Sequence, residues 1–245
     1  MFDAILFDLD GTLLPMDQDA FTKAYFTLLS KKMAEHGYES KALIENIWKG
    51  TYGMIQNNGS KTNEQVFWDV FSQFYGEKAI KDQLLFESFY ENEFQKAQAS
   101  CGKNEMVPEI IKSLKKETTL ILATNPIFPK VATYSRIRWA GLEPDDFIHI
   151  TTYENSHSCK PNLIYYQEIV DLFHLDPKKC LMVGNDVLED MITEKLGFNV
   201  FLLTDNLLNT KNLDYSQYPQ GNFKDLMHYI EANKERISLI RYLLI

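Results

Sequence analysis

The stretch that most limits what this chain can become is its first fourteen residues, MFDAILFDLDGTLL. The apolar run Ala4-Ile5-Leu6-Phe7 stops abruptly at Asp8-Leu9-Asp10-Gly11-Thr12. A short apolar run bounded by turn residues reads as a buried strand. Buried strands of this kind belong to parallel sheets covered on both faces, whose ligand sites lie beyond the carboxyl ends of the strands. Asp8 and Asp10 fall at that end. On an extended chain, residues two apart point the same way, so the two carboxylates are expected to crowd each other. Crowded carboxylates share a proton or a cation. Gly11 allows a sharp turn there, and Thr12 offers a hydroxyl and an amide to an anion.

The rest of the chain decides what surrounds this strand. Residues 17–98 read as successive amphipathic helices. Ala20, Ala24 and Leu28, with Phe21, keep helical spacing in the first, Gly37 stops it, and Ser40 caps the next. Leu43, Ile44 and Ile47 continue the period. After a polar stretch, Lys49 to Lys61, comes a helix with Val66, Phe67, Val70, Phe71 and Phe74, ending at Gly76. A last helix carries Ile80, Leu84, Leu85, Phe89 and Phe94 toward the core of a small bundle. From 102 onward, strands alternate with helices: apolar runs at 118–123, 147–150, 180–183 and 199–203, with helices at 108–115, 129–140 and 162–174 and one after 186. That alternation predicts an α/β fold with a doubly wound parallel sheet. A lone first strand cannot make a domain, so residues 1–15 and 99–245 are expected to form one core, with 16–98 inserted as a helical domain.

Composition narrows the partners. The 245 residues suit one large domain or a core with an insert. A formal net charge of −9 without a clustered basic run argues against nucleic acid or an anionic membrane. The three cysteines, Cys101, Cys159 and Cys180, have neither disulfide nor zinc spacing. No signal peptide is expected, since Asp3, Asp8 and Asp10 interrupt the N-terminal apolar run. These features point to the cytoplasm. The five histidines are scattered and none is assigned to a metal. The apolar end, 237–245, is expected to dock on the core or on a second subunit, which leaves monomer or homodimer open.

Three further polar clusters fall at predicted strand ends or loops: Thr124-Asn125, Lys160, and Asp186 with Asp190. Several carboxylates that leave room for water and phosphate suit Mg²⁺. Lys160 can pair with both a carboxylate and a phosphoryl group. A carboxylate can attack phosphorus, and a second can act as acid and base.

The ordered set DLDGT, TN, a Lys before Pro, and GNDxxxD resembles the haloacid dehalogenase-like hydrolase superfamily, in its subgroup with an inserted helical cap. The resemblance spans the whole chain. It implies that Asp8 is the nucleophile forming an aspartyl-phosphate. Asp10 would be the general acid and base, its backbone carbonyl also ligating Mg²⁺. Asp8 and Asp186 would ligate the metal, and Asp190 would support them. Thr12, Thr124 and Asn125 would hold phosphoryl oxygens, and Lys160 would offset charge. The expected activity is Mg²⁺-dependent hydrolysis of a small phosphorylated metabolite. Dehalogenases and phosphonatases of this superfamily lack an Asp at the place of Asp10. Two alternatives are a phosphosugar mutase and a phospho-accepting signalling domain without turnover. The cap contains no Arg, which disfavours a mutase that must grip a second phosphate. Residues resembling a cap specificity loop lie near Lys49 to Lys61, including Asn57 and Asn58.

Overall fold

In the computed structural model, residues 2–243 are described, with side-chain surroundings for 2–234. Strands β1 (Ala4–Phe7), β2 (Thr119–Leu122), β3 (His149–Ile150), β4 (Cys180–Gly184), β5 (Asn199–Leu203) and β6 (Gln220–Gly221) form one sheet in the order β3-β2-β1-β4-β5-β6. Every neighbouring pair is parallel. This strand order reverses direction at β1, which puts the switch point between β1 and β4. Phe7 pairs with Leu122 on one side and Val183 on the other, so the polar residues that follow all three strands emerge at the same edge. β6, a two-residue edge strand, carries no apolar run and was not expected from the sequence.

Alternation along the strands divides the core. Ile5, Phe7, Leu120, Leu122, Leu181 and Val183 pack on one face. Ala4, Leu6, Ile121, Ala123 and Met182 pack on the other. The first face is covered by helices α6 (Val107–Leu114), α7 (Lys130–Trp139) and the start of α9 (Phe223–Leu243), through residues such as Ile111, Ile137 and Leu226. The second is covered by α8 (Leu163–Phe173), through Tyr165, Tyr166 and Ile169. The expected docking of 237–245 lies outside the described side chains; the earlier part of α9 is anchored by buried Phe223, Leu226 and Ile230.

Between β1 and β2 the chain is all helical: α1 (Gln18–Ala34), α2 (Ser40–Ile55), α3 (Asn63–Tyr75), α4 (Glu77–Lys81), α5 (Gln83–Glu91) and a 3₁₀ run, Glu93–Ser100. Asp17 caps α1 by accepting from Ala20 N at 2.9 Å, and Thr62 and Gln65 form a reciprocal capping box on α3. The segments entering and leaving this insert run side by side, with Met16 bridged to Cys101 and Gly102 N donating to Pro15 O at 2.7 Å.

Two helix faces differ from expectation. The buried stripe of α1 is Phe21, Tyr25, Leu29 and Met33, while Ala20 is exposed and Ala24 and Leu28 are half-buried. Large aromatic rings claim the core side in preference to the small alanines. The expected last helix is broken at Asp82 into α4 and α5, followed by the tighter 3₁₀ run. Each break resets the helical phase. Phe89 and Phe94 therefore reach the core, but Ile80 and Leu84 stay 60% and 76% exposed. The α2 cap is Glu39 rather than Ser40; its carboxylate accepts from Lys41 N and Ala42 N.

Candidate active site

Asp8 leaves β1 as its backbone N–H donates to Val183 O at 2.9 Å, which seats its carboxylate between β1 and β4. Lys160, on the loop before α8, meets it there. Its buried Nζ donates to Asp8 Oδ1 at 2.8 Å and to Asp190 Oδ1 at 2.6 Å. Burial works against the Lys160 charge, but the carboxylates of Asp190 and Asp8 outweigh it and hold the ammonium well above its ordinary pKa. Asp190 in turn accepts from Asp186 N at 3.0 Å through Oδ2. Gly184 lets Asp190 in: a Cβ there would lie 2.1 Å from Asp190 Oδ2. Asp186 Oδ1 accepts from Leu188 N and Glu189 N, which fixes that carboxylate at the head of the turn. One chain of contacts thus joins Asp8, Lys160, Asp190 and Asp186.

On the other side, Thr12 Oγ1 lies 3.1 Å from Asp8 Oδ2 and 2.9 Å from Asn185 Oδ1. The Thr12 hydroxyl is therefore occupied within the site. Gly11 has φ of +85°, and a Cβ there would lie 2.2 Å from Asn185 Nδ2. The turn after Asp10 therefore needs glycine both for its conformation and for the approach of Asn185. Thr124 sits at the end of β2, its carbonyl accepting from Thr151 Oγ1 at 2.7 Å and Tyr165 OH at 2.9 Å. Asn125 gives its side-chain NH₂ to Glu189, at 3.0 and 3.2 Å. Glu189 was not singled out from the sequence. Burial pushes its carboxyl up to about 7, against the pull of Lys160.

Asp8 and Asp10, expected to crowd each other and share a proton or a cation, have side chains held by separate partners. The chain turns at Leu9, and Asp10 pairs with its own cation, the Nη1 of Arg136 on α7. Arg136 is 1% exposed. Its guanidinium lies 4.4 Å from the centroid of Phe128. Burial raises the Asp10 pKa, Arg136 opposes that, and the charge of Asp8 adds to it. Asp10 Oδ1 is buried with no hydrogen-bond partner. Arg136 was also missed in the sequence. Ala132, Thr133, Ser135, Ile137 and Trp139 are all buried around it, a setting that only the folded chain shows.

These groups border a cavity of about 1280 Å³ between the strand edge and the helical insert. Asp8, Asp10, Thr124, Asn125, Asp186 and Asp190 line its floor. The far wall is set by Trp48, Thr51, Glu64, Phe67 and Trp68, and by Ile80 and Leu84, which explains the exposure of the last two. Of the expected specificity stretch, Lys49 to Lys61, Thr51 lines this wall, but the polar residues named there point to other partners. Lys49 bonds Asn46 and lies over Phe74, Lys61 pairs with Asp69 at 2.6 Å, and Asn57 donates to Asn63 Oδ1 at 2.8 Å. None of these, nor Asn58, lines the cavity. Asn63 ties the insert to the core instead. It is fully buried, and its Nδ2 donates to Pro126 O and Ser158 O, both at 3.1 Å.

The haloacid dehalogenase-like hydrolase family profile matches residues 2–193. The chain belongs to this family. No curated protein sequence matches it. Solved structures of similar fold include a 2-haloacid dehalogenase from Pseudomonas syringae, 18% identical, covering 95% of this chain and 99% of that one with a TM-score of 0.63. A HAD phosphatase from Thermococcus onnurineus is 15% identical, covering 93% and 97%, with a TM-score of 0.58. A protein from Bacillus subtilis described as the HAD-hydrolase YfnB, bound to magnesium, is 20% identical, covering 94% and 99%, with a TM-score of 0.55. Family and fold make the chain a HAD-like hydrolase.

The family generally uses Mg²⁺, and the donors here fit such an ion. Among the described residues, no three His, Cys, Asp or Glu side chains form a metal cage on their own. A hard cation that keeps waters and accepts substrate oxygens needs fewer: two carboxylates and a carbonyl suffice. Asp8, Asp10 and Asp186 line the same cavity, and Asp10 Oδ1 is buried without a hydrogen-bond partner. The three cysteines are free thiols. Among the described residues, no helix is long and apolar enough to cross a membrane.

Proposed function

We propose that this protein is a Mg²⁺-dependent phosphomonoester hydrolase acting on a small phosphorylated metabolite, through an aspartyl-phosphate on Asp8. The supporting observation is the contact chain from Asp8 through Lys160 to Asp190 and Asp186, opening onto a cavity that also holds Asp10. Asp8, Asp186 and the Asp10 carbonyl would hold the ion, which would neutralise charge on the phosphoryl oxygens. Asp8 supplies the attacking oxygen while Lys160 and Thr12 fix its carboxylate. Lys160 also offsets negative charge as phosphorus is attacked. Asp10 gives a proton to the departing alkoxide and then takes one from the hydrolytic water. Thr124 and the backbone at Asn125 supply phosphate donors; the Asn125 amide group is committed to Glu189. Residues 1–15 and 99–245 form the catalytic unit in this reading, and 16–98 the cap that shields the reaction from water.

The presence of Asp10 favours a phosphatase over a dehalogenase, because ester hydrolysis needs a proton delivered to the leaving oxygen. The absence of any arginine in the cap favours hydrolysis over the mutase reaction. The test is phosphate release from p-nitrophenyl phosphate with Mg²⁺. Wild type is expected to turn over and Asp8→Asn to lose about a thousandfold or more. Chelating the metal should abolish release, and Mg²⁺ should restore it. Undiminished turnover by Asp8→Asn would remove the mechanism.

A further inference from the structure

We infer that the alcohol portion of the substrate is bulky, with an apolar or aromatic body and a positive charge, held between Glu64 and Glu154 against the rings of Phe67, Trp68 and Tyr153. This inference rests on the hydrolase reading above and names the substrate class for that site.

Size is the first argument. At about 1280 Å³, the cavity exceeds the ~300–1000 Å³ of ordinary small-molecule sites. A two- or three-carbon phosphate would leave most of it to water, against aromatic walls that gain nothing from wetting.

Charge is the second. Among the described residues, three cations line the cavity, Lys81, Lys130 and Arg138. Lys81 pairs with Glu77 at 2.9 Å, Arg138 lies 3.6 Å from Glu143, and Lys130 lies 5.1 Å from the Tyr134 ring centroid. The lining carboxylates Glu64 and Glu154 have no such partners among the described residues. Glu154 Oε1 accepts from Lys130 N at 2.7 Å, but Oε2 is buried with no hydrogen bond. Glu64 stands in the first turn of α3, where the helix field ordinarily steadies a carboxylate. Its pKa is nevertheless raised, first by burial and then by the charges of Glu154 and Glu87. A helix-capping role would lower it. These carboxylates repel each other, and among the described residues neither forms an ion pair with a cation of the cavity.

Geometry is the third. Glu64 N donates to Tyr153 O at 2.8 Å, which holds the first turn of α3 against the core loop. Phe67 lies 5.2 Å from Trp68 and 6.5 Å from Tyr153 between centroids. Carboxylates beside aromatic faces attract organic cations and repel anions.

Three para-substituted benzyl alcohols test this as competitive inhibitors of p-nitrophenyl phosphate hydrolysis: 4-trimethylammonio, its neutral isostere 4-tert-butyl, and 4-carboxy. None carries a phosphoryl group to lose, so the competitive component reads binding to the free protein, and any capture of the aspartyl-phosphate by the alcohol shows separately as p-nitrophenol released in excess of phosphate. The ammonium compound is expected to bind about tenfold more tightly than the tert-butyl compound, and the carboxylate weakest. The preference should collapse in Glu64→Gln and in Glu154→Gln. Equal or tighter binding of the neutral or anionic alcohol to wild type would overturn the inference while leaving the hydrolase reading intact. Absence of any turnover would instead remove the hydrolase reading, and calorimetric titration of the same alcohols would still read the charge preference.

Discussion

The two ends of the cavity are built on opposite principles. At the strand edge, each charged side chain has a designated partner: Lys160 with Asp8 and Asp190, Arg136 with Asp10, Glu189 with Asn125. At the helical end the walls are rings and half-buried carboxylates with few partners. Pairing of buried charge fixes geometry, because a lost partner leaves an uncompensated ion. Ring surfaces bind by area and tolerate exchange. The contrast assigns chemistry to one end and selection to the other.

Substitutions can break that contrast. Lys160→Met strands Asp190 in the interior and should cost about 3–5 kcal/mol in urea unfolding, with activity down about a thousandfold. A small loss of either kind would show that the pairing does not hold the floor together. Arg136→Lys should affect ester classes unequally. Loss of a well-oriented Asp10 should slow formation of the phospho-enzyme from alkyl phosphates about tenfold or more, yet barely touch its formation from p-nitrophenyl phosphate, read as the p-nitrophenol burst, because that leaving group needs no proton. Equal slowing of both would make Arg136 purely structural. At the other end, Trp68→Ala should raise KM for bulky substrates several-fold and leave kcat for small ones within about twofold. A matching fall in kcat would mean that the cap wall takes part in the chemistry. Smallest of all, Lys61→Ala should change neither kcat nor KM by more than about twofold, since its ion pair with exposed Asp69 lies off the cavity.

The same contrast explains what was legible in the sequence. Asp8, Thr124 and Asp186 follow short apolar runs, and a parallel register brings such ends to one edge whatever the helices do. The helical end depends on phase. Moving the stripe of α1 from Ala24 to Tyr25, or breaking the chain at Asp82, changes which residues meet the cavity without changing the apolar count. Hence Ile80 and Leu84 read as core but line the cavity, while Lys49 and Lys61 read as a specificity loop but face away. Arg136 and Glu189 were hidden for another reason. Each partners a motif residue across 126 or 64 positions, so local spacing carries no trace of them.

The central claim is that Asp8 bonds to phosphorus during turnover. Acid quenching of the wild-type protein in the presence of Mg²⁺ and a ³²P-labelled ester, followed by peptide mapping, reads it directly. The account predicts a hydroxylamine-labile phosphate on the peptide containing Asp8. Turnover with no labelled peptide, or with the label on another residue, would contradict it.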